Sequence, residues 1–517
     1  MKEEIENLIT SALNTLGISE TKFIVEHPAD LKMGDYSTNV GIKTGKAKEI
    51  LSYLEAQLPS GVEKVEIAGP GFINFFLSRD FFTRSLEMIS ENKNFGKGEH
   101  AKGLKVFVEH TQPNPFKEFH IGHLMNNALG EAIARIIRWN GAELKTASYH
   151  GDIGLHTAKA VWGIMRGMEY PYVAGSQAYE GDERAKKEIQ EINKKIYDKS
   201  DPEINKIYES GKRESLEKFT MIYHSVGSEF DFTFFESEAG EVGRRIVAEH
   251  IGDVFEESEG AIVYRGEKMG LHTRVFLNSD GLPTYEAKEL GLAKIKKDKF
   301  LFDLSITITA SEQDAFFTVV EATIGEVFPE LKGKLKHLSH GMLRLPSGKM
   351  SSRTGDVITA ETLIEEVKKK TKGNEAVALG AIKYMILRQS IGSDIIFDLD
   401  KSVSTEGDSG VYLQYAYARA SSIVEKAKGG LTQESNSSTH DIERLLYRFP
   451  EIVERAGREY APNVITTYLT ELASSFNNFY AQEEILGNKC RLLITKSFKV
   501  VMGNGLKILG IPAPERM

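Results

Sequence analysis

Two histidines stand one helical turn apart in His120-Ile121-Gly122-His123, directly after a Pro-containing loop and at the start of an apolar-periodic stretch. A helix N-terminus offers unpaired backbone N–H groups and the positive end of its dipole, so a phosphate suits this position. Both imidazoles can face such a ligand, and the glycine between them lets a flat adenine or a phosphate approach the backbone. Taken alone, the turn reads equally well as two packed histidines beside a capping glycine. A second stretch, Lys349-Met350-Ser351-Ser352-Arg353, lies between Gly348 and Gly355. A lysine on a glycine-bounded loop can close over a triphosphate and neutralise charge growing on a leaving pyrophosphate.

The elements that must position these residues are legible around them. KVFVEH, residues 105–110, predicts a short strand. The stretch from Leu124 to Ile137 keeps a 3.6-residue apolar period, and Gly141 stands where a helix-ending glycine is expected. ELKTASYHG predicts the next strand. Strand, loop, helix and strand make a βαβ unit of a doubly wound parallel sheet, in which ligands sit outside the carboxyl ends of the strands. A charged helical insertion is expected over residues 185–220, and the α/β texture returns between 261 and 328.

Upstream, an amphipathic helix over 2–17, a weaker one near 45–58 and apolar runs broken by Gly69-Pro70-Gly71 predict a small α+β domain. Residues 92–103 read as a polar, glycine-containing linker. After Lys401 long helical periods dominate, predicting an all-α bundle of nearly balanced charge. The expected domains are 1–98, 99–400 and 401–517.

Composition narrows the class. The chain has 517 residues, 41% hydrophobic and 27% charged, which excludes a disordered or collagen-like protein. A single cysteine, Cys490, permits no intramolecular disulfide and no thiolate metal cage. The N-terminus lacks the basic start and apolar core of a secretory signal, and no run approaches a membrane span. A cytoplasmic protein without membrane contact is expected. The net charge of −9 disfavours nonspecific binding to nucleic acid, although a local basic stripe would override that average.

In this order and these contexts, the two chemistry-bearing stretches resemble the paired HIGH and KMSKS signatures of class I aminoacyl-tRNA synthetases, with Arg353 where the second lysine is usual. Further segments resemble the arginyl-tRNA synthetases from end to end: GDYSTNV, PGFINFF, the run from Val108 to Ile136, HGDIG, PTYEAKELG, SEQD, YLQYAYAR and the terminal LGIPAPERM. The resemblance implies an α/β fold with a Rossmann-type parallel sheet core, a small α+β N-terminal domain that touches the tRNA elbow and an all-α anticodon-binding bundle. It also implies ATP-dependent attachment of L-arginine to tRNA(Arg) through an arginyl-adenylate, with Mg²⁺ accompanying ATP, no zinc, and a monomeric enzyme.

Residue by residue, the resemblance assigns ATP to His120, Gly122, His123, Lys349, Met350, Ser351 and Ser352, with His120, His123 and Lys349 catalytic. Arginine presents a planar, permanently charged fork of five donors, so its pocket needs carboxylates and tyrosines. Tyr285 and Glu289, at i and i+4, are expected to hold the guanidinium, with Glu289 where the family has Asp. Glu236 is a further guanidinium-side carboxylate. Glu109 and Asn114 are expected at the α-amino and carboxylate groups, and Gln313 and Asp152 elsewhere at the amino-acid site. Phe316 stands where the family often has His. For tRNA the expected contacts are Asn74 and Phe76 near the N-terminus, and Tyr412, Tyr415, Arg419 and Met517 in the bundle, through base stacking and backbone contacts, with core packing the competing reading for Phe76, Tyr412 and Tyr415. A tRNA-binding relative that has lost catalysis is the competing class; the presence of His120, His123 and Lys349 argues against it.

Overall fold

The computed structural model describes residues 1–19, 21–344, 346, 358–427 and 439–517. Val106, Phe107 and Val108 are enclosed on both sides because their strand runs through the middle of the central sheet. The core strands are β1 (Lys105–Glu109), β2 (Glu143–His150), β3 (Phe232–Phe235), β4 (Leu304–Ala310) and β5 (Leu335–His340). Their order is β5-β4-β1-β2-β3, and every neighbouring pair is parallel. Parallel strands covered by helices on both faces favour continuous β-branched and aromatic runs, as in VFV and ITIT. The chain builds outward from β1 to one side, then crosses over to lay β4 and β5 on the other. That reversal opens a crevice at the carboxyl end of β1.

The helix Ile121–Trp139 follows β1 and carries two buried amides that shape the crevice. Asn126 donates to the Ile308 carbonyl at 2.8 Å and accepts from the Thr111 N–H at 2.8 Å, while Asn127 donates to the Thr111 hydroxyl at 3.1 Å. These bonds hold a strained loop, since Thr111, Gln112 and Phe116 have φ values of 78°, 48° and 67°. A β-branched residue in the left-handed region persists where its surroundings over-determine it, typically at a working site.

Between β2 and β3 the insertion expected over 185–220 forms the helices Glu183–Asp198 and Pro202–Ser225, preceded by an unexpected helix Pro171–Gly181, with a core of Ile189, Ile192, Ile196, Ile204 and Tyr208 against Val161 and Trp162. A three-stranded antiparallel sheet, Glu256–Ser258, Ala261–Tyr264 and Arg274–Leu277, precedes the helix Tyr285–Lys299.

The N-terminal region forms an antiparallel four-stranded sheet covered by helices Lys2–Thr15 and Ala47–Glu55. The next helix, Arg79–Glu91, turns away from it and packs on the C-terminal helix Lys489–Ile508, where Ser497 donates to the Leu86 carbonyl at 3.0 Å. The stretch expected as a linker is pinned there too. Phe95 stacks on Phe449, and a Cβ on Gly96, whose φ is 89°, would fall 2.4 Å from that ring. Helices Ala360–Lys370 and Glu375–Leu387 share one apolar core with the bundle that follows residue 401 and with Ile121–Trp139. Packing therefore runs straight across the boundaries expected near residues 98 and 400. Among the described residues no helix is long and apolar enough to cross a membrane.

Candidate active site

The carboxyl ends of β1 and β4 open into a cavity of about 790 Å³. His120, Gly122, His123, Asn114, Glu236, Tyr285, Glu289 and Gln313 all line it, so residues from four separate stretches of sequence meet in one cleft.

At the histidine turn, His120 caps the helix: its Nδ1 accepts from the Gly122 N–H at 3.1 Å, and the Nδ1 of His123 accepts from the His120 N–H at 3.2 Å. The two rings stack, with centroids 3.7 Å apart and planes 16° from parallel. Burial, reinforced by Lys117, pushes His120 down to about 4; burial, His120 and Lys117 hold His123 well below its usual range. Both imidazoles are therefore neutral at pH 7. An Nδ1 that accepts from a backbone N–H carries no proton, so each ring keeps its proton on Nε2 and offers a donor. Gly122 is required at close range: a Cβ there would stand 2.9 Å from the His120 ring.

The second signature, Lys349, Met350, Ser351, Ser352 and Arg353, lies outside the described residues. Its flanks reach the same turn. Leu343 and Arg344 line the cavity, Thr359 bridges to His120, and the Ile121 N–H donates to the Ile358 carbonyl at 3.2 Å.

Of the residues expected at the amino acid, the structure brings some together in the cavity and encloses others. Glu289 is half-buried on the cavity wall, and among the described residues no hydrogen bond or ion pair reaches its carboxyl group. Burial first, and then the neighbouring Glu109, push it up to about 8. Glu236 lines the cavity but accepts from Lys288 Nζ at 2.6 Å; burial raises its carboxyl group above the ordinary value, and Lys288 opposes that. Tyr285 is exposed at the mouth, and Gln313 is exposed at the end of β4 beside Phe316. Asn114 Oδ1 accepts from the Gly151 N–H at 3.0 Å, fixing the loop after β2 against the loop after β1.

Glu109 and Asp152 are enclosed rather than cavity-lining. Glu109 is ion-paired with Lys296 and accepts from Gln112 at 2.6 Å. Asp152 accepts from Lys212 at 2.7 Å, Tyr208 at 3.0 Å, and the Ser237 hydroxyl and N–H at 2.7 and 2.9 Å. It thereby binds the helical insertion to the start of the helix Glu236–Glu249. Although burial opposes it, Lys212 and Ser237 hold the Asp152 carboxyl group below its ordinary value.

Two residues at this end of the cleft escaped the sequence reading, Tyr149 on the cavity wall and Lys288 behind it on Glu236. Lys288 lies three residues after Tyr285 and so shares its helix face, a spacing the Tyr285–Glu289 pairing passed over. Tyr149 sits at the carboxyl end of β2 and lines the cavity; among the described residues its hydroxyl group has no partner. Burial first, then Glu236, Glu289, Glu109 and Asp152, raise the Tyr149 phenol well above its ordinary value.

Away from the cleft, Asn74 is 3% exposed and accepts from the Ser37 hydroxyl at 2.7 Å, so it lies inside the N-terminal domain. Phe76 is half-buried under Lys64, whose Nζ is 4.3 Å from the ring centroid. In the bundle, Tyr412 packs partly into the core. Tyr415 is exposed, with the Arg419 guanidinium between its ring and that of Tyr480 at 4.7 and 4.9 Å, and Arg419 donates to Asn477 at 2.6 Å. Met517 is exposed.

A parallel core whose switch-point cleft carries a capped His-Ile-Gly-His turn, joined to a helical bundle, is the plan of a class I aminoacyl-tRNA synthetase. Three family models match: Arginyl tRNA synthetase N terminal domain over residues 3–77, tRNA synthetases class I (R), catalytic domain over 86–399, and DALR anticodon binding domain over 413–517. The chain belongs to the arginyl-tRNA synthetase family. It is 26% identical to the arginine–tRNA ligase of Halothermothrix orenii, with 100% of this chain and 99% of that one covered. It is 28% identical to that of Streptococcus pneumoniae, with both chains fully covered. Among solved structures, the Thermus thermophilus arginyl-tRNA synthetase superposes with a TM-score of 0.75 at 25% identity, each chain covered in full. The Plasmodium falciparum arginyl-tRNA synthetase superposes at 0.82 and 20% identity, with 100% of this chain and 99% of that one covered, a likeness of fold.

Proposed function

We propose that this cleft joins L-arginine to tRNA(Arg) in two steps. The arginine carboxylate attacks the α-phosphate of ATP and pyrophosphate leaves; a ribose hydroxyl of the terminal tRNA adenosine then attacks the arginyl-adenylate carbonyl, and AMP leaves. The observation that carries this reading is one cavity lined both by the histidine turn and by Glu236, Tyr285 and Glu289.

The neutral imidazoles act as Nε2–H donors to the phosphate oxygens as charge builds in the in-line transition state. Lys349 is assigned to the leaving pyrophosphate. Mg²⁺ would enter with ATP as part of the substrate, its charge offsetting that of the triphosphate. A lysine or neutral analogue in place of arginine leaves acceptors of the acidic pocket unpaired, so discrimination at binding suffices without a separate editing reaction. The exposed Tyr415 and Tyr480, with the half-buried Arg419 between them, offer stacking surfaces and a cation for splayed anticodon bases. The enzyme acts as a monomer in the cytoplasm.

ATP–pyrophosphate exchange with each amino acid, with and without total tRNA, tests the reading. Exchange with arginine alone among the amino acids is expected. No exchange with arginine plus tRNA, while tRNA still binds, would establish the non-catalytic alternative.

A further inference from the structure

A cavity of about 950 Å³, larger than that of the cleft, lies where the helices Gly410–Lys426 and Lys489–Ile508 and the C-terminal tail meet the end of the helical insertion. Its floor is apolar. Tyr417, Val500 and Ala513 pack partly into the bundle core, and Val424 and Pro512 are half-buried beside them. Gly503 makes room for the Tyr417 ring, which lies 3.0 Å from where a Cβ would stand. The rim is cationic. Lys93, Lys496 and Lys507 are exposed and, among the described residues, form no ion pair with a carboxylate. Lys499 is paired with Glu515 at 2.9 Å, and Arg135 with Glu131 at 2.6 Å. Among the described residues that line the cavity, Glu515 is the only carboxylate. A chain whose net charge is −9 therefore gathers uncompensated positive charge around an apolar floor. Past Arg135, His224 and Lys507 the cavity runs on into a second of about 690 Å³, where Lys97, Arg138 and the Trp139 ring continue the pattern. Two of the three carboxylates lining that second cavity are already committed, Glu131 to Arg135 and Asp231 to Lys145.

An extended trough of this kind suits a length of chain rather than a small molecule. Aliphatic side chains on the floor have nothing to offer a phosphodiester backbone, whereas an amphipathic helix lays its apolar face into such a groove and turns its charges to the rim. Tyr415 and Arg419, assigned above to the anticodon bases, each stand two residues from Tyr417 on one helix, so they point about 200° round from it. The trough thus faces away from the surface given to tRNA, and it shares no lining residue with the cleft. We propose that it is a docking site for an acidic amphipathic helix of a partner protein, with the apolar stripe of that helix on Tyr417, Val424 and Val500 and its carboxylates on Lys93, Lys496 and Lys507. Charge complementarity selects an acidic partner, and the apolar floor selects protein over nucleic acid.

Fluorescence anisotropy tests the proposal, with the full chain titrated into a labelled synthetic helix that carries leucine at i, i+3, i+4 and i+7 on one face and glutamate on the rest. Saturable binding is expected. The same peptide with glutamine for leucine keeps its charge and its helix propensity, and it should bind about tenfold more weakly or worse. Lys496→Glu combined with Lys507→Glu should weaken the leucine peptide about tenfold, with the thermal midpoint of the chain held. Val500→Asp should do the same through the floor, and Ala513→Asp serves in its place if that variant loses its fold. Absence of saturable binding, binding that ignores the leucines, or binding unmoved by the lysine reversals overturns the proposal. Displacement of the bound helix by poly(U) or total tRNA would make the occupant an RNA and overturn it equally.

Discussion

The histidine turn shows how much of a role is set by which nitrogen is already occupied. His120 and His123 each use Nδ1 to cap the helix, so the sequence pattern that placed two imidazoles at a phosphate site left open whether they act as cations. Their depressed protonation makes them neutral donors over the working range. Pyrophosphate exchange is therefore expected to show no loss of kcat on an imidazole between pH 5.5 and 7.5, and His120→Ala or Lys349→Ala should lower kcat by roughly 10² to 10³, as removal of one preorganised donor does. The lining of the cavity was legible where motif and helix spacing coincide, as for Tyr285 and Glu289. Lys288 and Tyr149 were not, because their roles depend on partners brought in from other elements. Tyr149→Phe removes an unpartnered hydroxyl group from the cavity wall. It should raise the KM for arginine about tenfold with kcat nearly unchanged, the worth of one hydrogen bond made to the bound substrate; an unchanged KM would show that the hydroxyl group does not touch arginine.

Among the elements, the junction between the N-terminal sheet and the bundle illustrates what no local pattern can reveal. GDYSTNV reads in the sequence only as part of a resemblance. In the fold, Asp35 Oδ2 accepts from the Leu77 N–H at 2.8 Å while Oδ1 is paired with Arg444, and Tyr36 donates to Glu451 at 2.6 Å. Those bundle partners lie about 400 residues further along, beyond any periodicity or turn signal. Strand and helix periods foretold both domains; the polar clasp between them depends on tertiary meeting alone. Asp35 is fully buried, so Asp35→Ala leaves both a guanidinium and an N–H without their partner. A loss of about 3 to 5 kcal/mol is expected on breaking such a pair from one side. Urea unfolding should show it as an earlier transition of the N-terminal domain; coincident unfolding at the wild-type midpoint would show that Arg444 finds another acceptor.

For the whole molecule, the same enclosure that keeps the cleft histidines neutral couples folding to acid. Burial lowers His110, His120, His150 and His156 each to about 4. Their unfolded counterparts take up protons near 6.5, so the unfolded chain binds more protons between those values. A depressed group of this kind contributes stability that is present above pH 6.5 and is lost as the pH falls toward 4. The expected outcome is a thermal midpoint that drops steadily from pH 6.5 to 4.5, ahead of the carboxylate titration that ordinary acid denaturation follows. His150 isolates the effect, because its Nδ1 bonds the Pro113 carbonyl at 2.6 Å and an asparagine could keep that bond without titrating. His150→Asn should reduce the slope of stability against pH by up to about 1.4 kcal/mol per pH unit in that window. If the slope is instead unchanged, the acid sensitivity arises elsewhere than at His150.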